Sequence, residues 1–340
     1  MAQPSSTSSS DPGRLARAVW LTLTCVLVVE LALTFVPENV MIRTMRQVRA
    51  LLASTPAPAI QIHGDSVAQG ALLASEIETE LPAGVHVTNA SLQGSGPEFT
   101  YFLYKHQIES GHVPGAIVIA HSPHTFTTER MGELVGAFLG WRDVPEALFQ
   151  GHHFFDALYG VLCKLSFTLR HRGEIATMIK EHRVEGGEQW NDPIPTEAWV
   201  RKAGADAEAK WAHQAKAPLG PLHPVYLRPF VLDPAEREFL ARTLALAREH
   251  HVHVYWLTLP EHVAVAAARE SLGFAPAYAA FVDSLAARGE VSVLRRDFEV
   301  LPADAFSDYT HLRLPAALAL SREVGREIAP SLAGATPPVR

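Results

Sequence analysis

The sequence predicts an α/β fold: a parallel sheet with helices on both faces, preceded by a transmembrane helix and interrupted by a helical insertion. Short β-rich apolar runs alternate with helix-patterned segments from residue 59 onward, which selects the sheet type. Strands covered on both faces read as continuous apolar runs, and strand–helix alternation builds parallel crossovers. A long apolar run near the N-terminus and a lapse of the alternation between about 125 and 230 account for the other two parts.

Taken in order, residues 1–17 open with "MAQPSSTSSSDPG", which has no apolar periodicity to offset the entropy of ordering, and predict a disordered tail. The run 18–36, "AVWLTLTCVLVVELALTFV", holds Glu30 as its only charge. At about 1.5 Å per residue it is long enough for a hydrocarbon core of about 30 Å. No A-x-A-like site follows before "PENV", so an uncleaved signal anchor is expected. Arg14 and Arg17 precede the run, whereas Arg43, Arg46 and Arg49 follow it, so the positive-inside count does not orient it.

Residues 37–58 read as stalk and linker, with Met41, Met45, Val48 and Leu52 at helical spacing before "STPAPA". The α/β domain covers 59–335. Its strands are "AIQIHG", "VHVTNA", "GAIVIAHS" at 115–122, "HVHVYWLTLP" at 251–260 and "VSVLRR" at 291–296. Its helices are expected near 67–80, 234–250, 262–288 and 312–332. The insertion at about 125–230 mixes Gly- and Pro-dense loops with "FFDALYGVLCKLSFTL", in which Asp156 and Lys164 indicate an amphipathic helix instead of a second span.

With 48% hydrophobic residues the chain has material for a core, and its net charge of −7 with scattered Lys and Arg excludes a nucleic-acid surface. Cys25 and Cys163 sit in unrelated apolar and amphipathic stretches, which argues against a disulfide. In "EHHVHV" at 249–254, His251 and His253 alternate along a strand start without the carboxylate or cysteine partners of a closed metal site. No metal or cofactor is expected.

Ligands of open parallel sheets bind beyond the C-terminal strand ends, which directs attention to Ser66 in "QIHGDSVAQG". Two readings stand there: a helix cap by Asp65 or Ser66, or a nucleophile. In "FSDYTHL", Asp308 and His311 are three apart at the start of an expected helix, a spacing that lets a carboxylate orient an imidazole on one face. Alternatively Asp308 is a second cap and His311 is simply exposed. Ser66 lacks the glycine two positions on that a G-x-S-x-G elbow requires. In "LPEH", Glu261 and His262 follow a strand and stand near any site mouth, with a helix-start role for Glu261.

"GDSVAQG", "NASLQG" at 89–94 and "DYTHL" together resemble the SGNH (GDSL-type) hydrolase superfamily, over roughly 59–125 and 250–332. The resemblance implies a flavodoxin-like three-layer fold, Ser66 as nucleophile, His311 as base, Asp308 as its orienter, and the amides of Ser66 and Gly94 as oxyanion donors. The family's Gly-x-Asn-Asp block should fall at "IAHSPHTF", which has no asparagine; His121 or Ser122 stands in its place. Membrane-tethered relatives imply a cytoplasmic N-terminus and an extracytoplasmic esterase or O-acyltransferase. Its partners would be an acyl donor or acylated envelope polymer and a membrane-bound acyltransferase. The alternative is a catalytically degenerate binding or assembly component of the envelope.

Overall fold

The computed structural model describes residues 12–33, 48, 60–127, 139–150, 154–170, 201, 205 and 222–332. Residues 1–11 of the expected tail, the stalk apart from Val48, and much of the insertion lie outside them. The strands are β1 (Ile60–Gly64), β2 (Val87–Asn89), β3 (Ala116–Ala120), β4 (His253–Leu257), β5 (Glu261–His262), β6 (Ser292–Arg295) and β7 (Val300–Leu301). Five of them form one parallel sheet in the order β2-β1-β3-β4-β6, while β5 and β7 pair separately. The order reverses between β1 and β3, the place where a doubly wound sheet opens a crevice at its C-terminal edge.

The helices are α1 (Pro12–Leu33), α2 (Ser66–Ala71), α3 (Ala74–Glu78), α4 (Pro97–Glu109), α5 (Val144–Gln150), α6 (Phe154–Leu165), α7 (Phe167–Arg170), α8 (Pro234–Glu249), α9 (Val263–Glu270), α10 (Phe274–Ala287) and α11 (Leu314–Leu332). Alternate residues of each strand face opposite layers. Ile60, Ile62 and Val118 pack with Leu320 and Val324 of α11, whereas Ile117, Ile119 and Trp256 pack with Leu244 of α8 and Tyr278 of α10. Each such fully buried side chain contributes about 1.5–3 kcal/mol, which makes both faces necessary to the sheet.

Four local departures from the sequence expectation have physical causes. The helix expected near 67–80 is two helices, broken where the Leu73 amide donates to the Ser321 hydroxyl of α11 at 2.8 Å. The one expected near 262–288 divides at Gly273, whose φ of 61° a glycine adopts without steric cost. Helix α4 was not anticipated: Phe99, Tyr101, Phe102, Leu103 and Tyr104 are all buried, so it lacks the polar stripe that marks a surface helix. Residues 12–17, read as tail, are helical from Pro12, a residue suited to a first helical turn.

Val48, expected in the stalk, is buried against Leu92 and Phe99 of the domain. Of the run expected to span, residues 18–33 are helical within α1, and among the described residues no helix is long and apolar enough to cross a membrane.

Gly64 closes β1 where helix, strand and neighbouring strand meet. A Cβ there would lie 2.4 Å from the Ala68 Cβ and 2.6 Å from the Ala120 carbonyl oxygen, both fixed groups. Gly64→Ala is therefore expected to destabilise the domain by about 1–3 kcal/mol. Denaturant unfolding with an unchanged midpoint would contradict this packing.

Candidate active site

The capping question at "GDS" is resolved by Asp65. Its Oδ1 accepts the amides of Val67 at 2.9 Å and Ala68 at 3.5 Å, and its Oδ2 accepts the Ser122 amide at 3.2 Å. One buried carboxylate thus caps α2 and bolts it to the end of β3. Burial raises the Asp65 pKa, and the amides around it work in the opposite direction. Ser66 is consequently the first helical residue, with its hydroxyl and its own amide left out of the cap.

That hydroxyl lies 3.0 Å from His311 Nε2, and His311 Nδ1 lies 2.7 Å from Asp308 Oδ2. With the proton on Nδ1, the imidazole donates to Asp308 and accepts from Ser66. The structure thus brings three of the residues singled out by sequence into one hydrogen-bonded chain. Their local setting differs from the helical one expected: residues 306–312 form a loop ahead of α11, closed by a bridge between Phe306 and Leu312. Ser307 donates its amide to the His311 carbonyl at 2.9 Å. Asp308 Oδ1 accepts the amides of Thr310 at 2.7 Å and His311 at 2.8 Å, so the carboxylate holds both its loop and its imidazole.

Burial works against a charged His311, but the hydrogen bond and charge of Asp308, with Asp65 adding, outweigh it and raise the pKa above 6.5. Burial alone would raise the Asp308 pKa. The His311 ring and the two loop amides reverse that and hold it well below the usual carboxylate range.

Two of the three expected oxyanion donors lie in segments joined to the end of β1. The Ser66 amide lies at the start of α2. Gly94, at φ 73°, lies in a turn tied to Gly64 by the Leu92 amide at 2.9 Å and the Ser95 hydroxyl at 2.7 Å, both meeting the Gly64 carbonyl. Asn89, from the same motif, braces α2: its Nδ2 donates to the carbonyl oxygens of Ala68 at 3.2 Å and Leu72 at 2.7 Å.

His121 is placed differently. Its ring is buried, with Nε2 paired to the Thr100 hydroxyl at 2.8 Å, and burial, with His63 and His124 nearby, lowers its pKa to about 3. It is a neutral interior group bonded to α4. Ser122 is the residue of that pair which lines a cleft, together with Val67 and Thr310, the sequence neighbours of Ser66 and His311.

The cleft is bounded by Val67, Ser122, His124, Tyr226, Leu259 and Tyr309. Tyr226 comes from the end of the insertion and is fastened by Arg269, whose Nε donates to the Tyr226 carbonyl at 3.2 Å. Arg269 also pairs with Glu261 in a buried contact and stacks 4.0 Å from the Phe274 ring centroid. Glu261 is therefore a cleft-wall partner, and the helix-start role belongs to His262, whose Nδ1 accepts the Ala264 amide at 3.0 Å. The His262 ring also packs on Phe306 and Tyr309, supporting the 306–312 loop. Tyr226 and Arg269 carried no sequence signal, because nothing in their surroundings announces the fold contact that joins them.

No protein-family model matches the chain, and none of the curated proteins matches it. It is similar to a solved structure from Streptococcus pneumonia named for platelet activating factor, at 13% identity and a TM-score of 0.32, over 91% of this chain and 97% of that one.

Because folding raises the His311 pKa, the stability this residue contributes is complete below 6.5 and is lost as pH rises through the folded value. Asp308 behaves oppositely: its contribution is complete above 3.8 and is lost as pH falls through its lowered value. Imidazole NMR should show His311 titrating above 6.5, and Asp308→Asn should move it downward. An unmoved titration would remove Asp308 from this role.

Proposed function

We propose that the chain is a membrane-anchored, serine-dependent acyl-ester hydrolase or O-acyltransferase acting on an acyl ester of the cell envelope. The observation that carries the reading is the continuous chain from the Ser66 hydroxyl through both His311 nitrogens to Asp308, with contacts of 3.0 and 2.7 Å. A serine is a weak nucleophile until a base takes its proton, and an imidazole held by a carboxylate is suited to that task.

In the proposed reaction, Ser66 Oγ bonds to the acyl carbon while His311 Nε2 takes its proton. The negative charge moves to the carbonyl oxygen and is received by the amides of Ser66 and Gly94. Collapse breaks the bond to the leaving alkoxide, which recovers the proton from His311. Water or a sugar hydroxyl then attacks the acyl–Ser66 ester by the same steps in reverse. The chemistry calls on no metal or organic cofactor.

Helix α1 supports the anchor: its large side chains, Trp20, Leu21 and Leu27 among them, face outward. The catalytic domain is placed outside the cytoplasm, where a membrane-bound acyltransferase would supply the acyl group. One observation favours a second reading, a non-catalytic assembly component: the residue expected to replace the missing asparagine, His121, is committed to Thr100.

A fluorophosphonate probe separates the two. Wild type should be labelled and Ser66→Ala should not; absence of labelling in wild type, or equal labelling of both, would overturn the enzyme. On p-nitrophenyl acetate, Asp308→Asn should lower turnover by about 10³- to 10⁴-fold. The wild-type rate should rise with pH through a value above 6.5, because Nε2 must be unprotonated to act as base. A reporter fused at the C-terminus should be active only outside the cytoplasm, and cytoplasmic activity would reverse the proposed orientation.

A further inference from the structure

One part of the molecule distributes its polar and apolar groups inside out. On α1, Trp20, Leu21, Leu27 and Leu31 are more than half exposed, and on α6 so are Phe154, Phe155 and Leu165. Most of the large hydrophobic side chains exposed among the described residues belong to α1, α6 and their immediate neighbours. Two charges do the reverse, while Arg17, towards the N-terminal end of α1, is exposed. Glu30 turns inward, its Oε1 accepting the Ser166 hydroxyl at 2.7 Å and its Oε2 the Thr168 amide at 3.3 Å. Lys164 donates to the Leu139 carbonyl and lies 5.6 Å from the Trp141 ring centroid. On α1 itself, the hydroxyls of Thr22 and Thr24 donate back to the carbonyls of Ala18 and Trp20.

A surface facing water places its charges outward and its large apolar groups inward. In hydrocarbon the requirement inverts, since every polar group must find its partner within the protein. Ser166 and Thr168 flank the junction of α6 and α7, so the contact with Glu30 sets these helices beside the C-terminal end of α1. The twelve residues of α6 span about 18 Å, too short to cross a core of about 30 Å. Large apolar side chains exposed on a helix too short to span suit a position in the plane of the interface.

We propose that α6 and α7 are an in-plane membrane element whose occupant is the lipid bilayer itself, held at a fixed depth beside the anchor by the Glu30 clasp. This rests on the reading of α1 as a membrane anchor, and the test separates the two. Full-length protein carrying Cys25→Ser and Cys163→Ala receives one new cysteine, at Trp20→Cys or Phe155→Cys, labelled with the fluorophore NBD. Circular dichroism confirms that each variant is folded. The labelled proteins are placed in phosphatidylethanolamine–phosphatidylglycerol vesicles, with or without nitroxide-bearing acyl chains, and are challenged separately with aqueous iodide.

Both sites are expected to lose fluorescence several-fold to the nitroxide lipids and to be protected from iodide. If the label at 20 is quenched by lipid and that at 155 by iodide, the in-plane element is overturned while the anchor stands. If neither label responds to lipid, the anchor fails and the proposal falls with it. A label at 155 shielded from both quenchers means that protein covers α6, which overturns the lipid assignment.

Discussion

The site depends on one buried carboxylate. Asp65 closes the start of α2 and grips the Ser122 amide at the end of β3, so two adjacent strand ends and the helix between them become one rigid corner. Without that grip the Ser66 hydroxyl would have the rotational and backbone freedom of a loop. A 3.0 Å contact with His311 has to be held by the scaffold, because the contact is itself too weak to organise its surroundings. The absence of a side chain at Gly64 lets helix and strand come close enough for a single aspartate to reach both.

The second half of the site is built by different means. The 306–312 loop has no sheet register to position it and relies on a local network, with Asp308 accepting backbone amides of its own loop. The same residue therefore shapes the loop and orients the imidazole. Its second oxygen meets His311 while the first accepts two backbone amides and the Thr310 hydroxyl. His262, packed against Phe306 and Tyr309, carries the support outward to α9, whose Arg269 fastens the insertion's end at Tyr226. Loop, cleft wall and insertion are thereby mechanically joined.

What was legible in the sequence follows the range of the forces involved. β3 is apolar on both faces and β4 nearly so, while β1 alternates Ile60 and Ile62 with buried Gln61 and His63; each pattern is carried by the strand alone, and its residues identify it. The break between α2 and α3 depends on Ser321, far along the chain, and no local pattern records it. Helix α4 is hidden for the opposite reason: burial on nearly all sides erases the periodicity that would reveal it. The Asp308–His311 spacing was informative about proximity and misleading about conformation, since a three-residue separation suits both a helix face and an Asp-capped turn. His121 stood at a strand end where donors are expected, but its partner Thr100 belongs to the helix that the pattern concealed.

The distance along the chain between Ser66 and His311 has a temporal meaning. Ser66 is synthesised 245 residues before the imidazole it meets. The cap on α2 is local to Asp65, Val67 and Ala68, whereas the imidazole beside the Ser66 hydroxyl comes from the far end of the chain. Helix α11 packs over α2 and α3, with Ser321 in the gap between them, and the 306–312 loop lies just ahead of that helix. The contact between the two side chains therefore belongs to the completed fold, and no segment short of the C-terminal layer contains it.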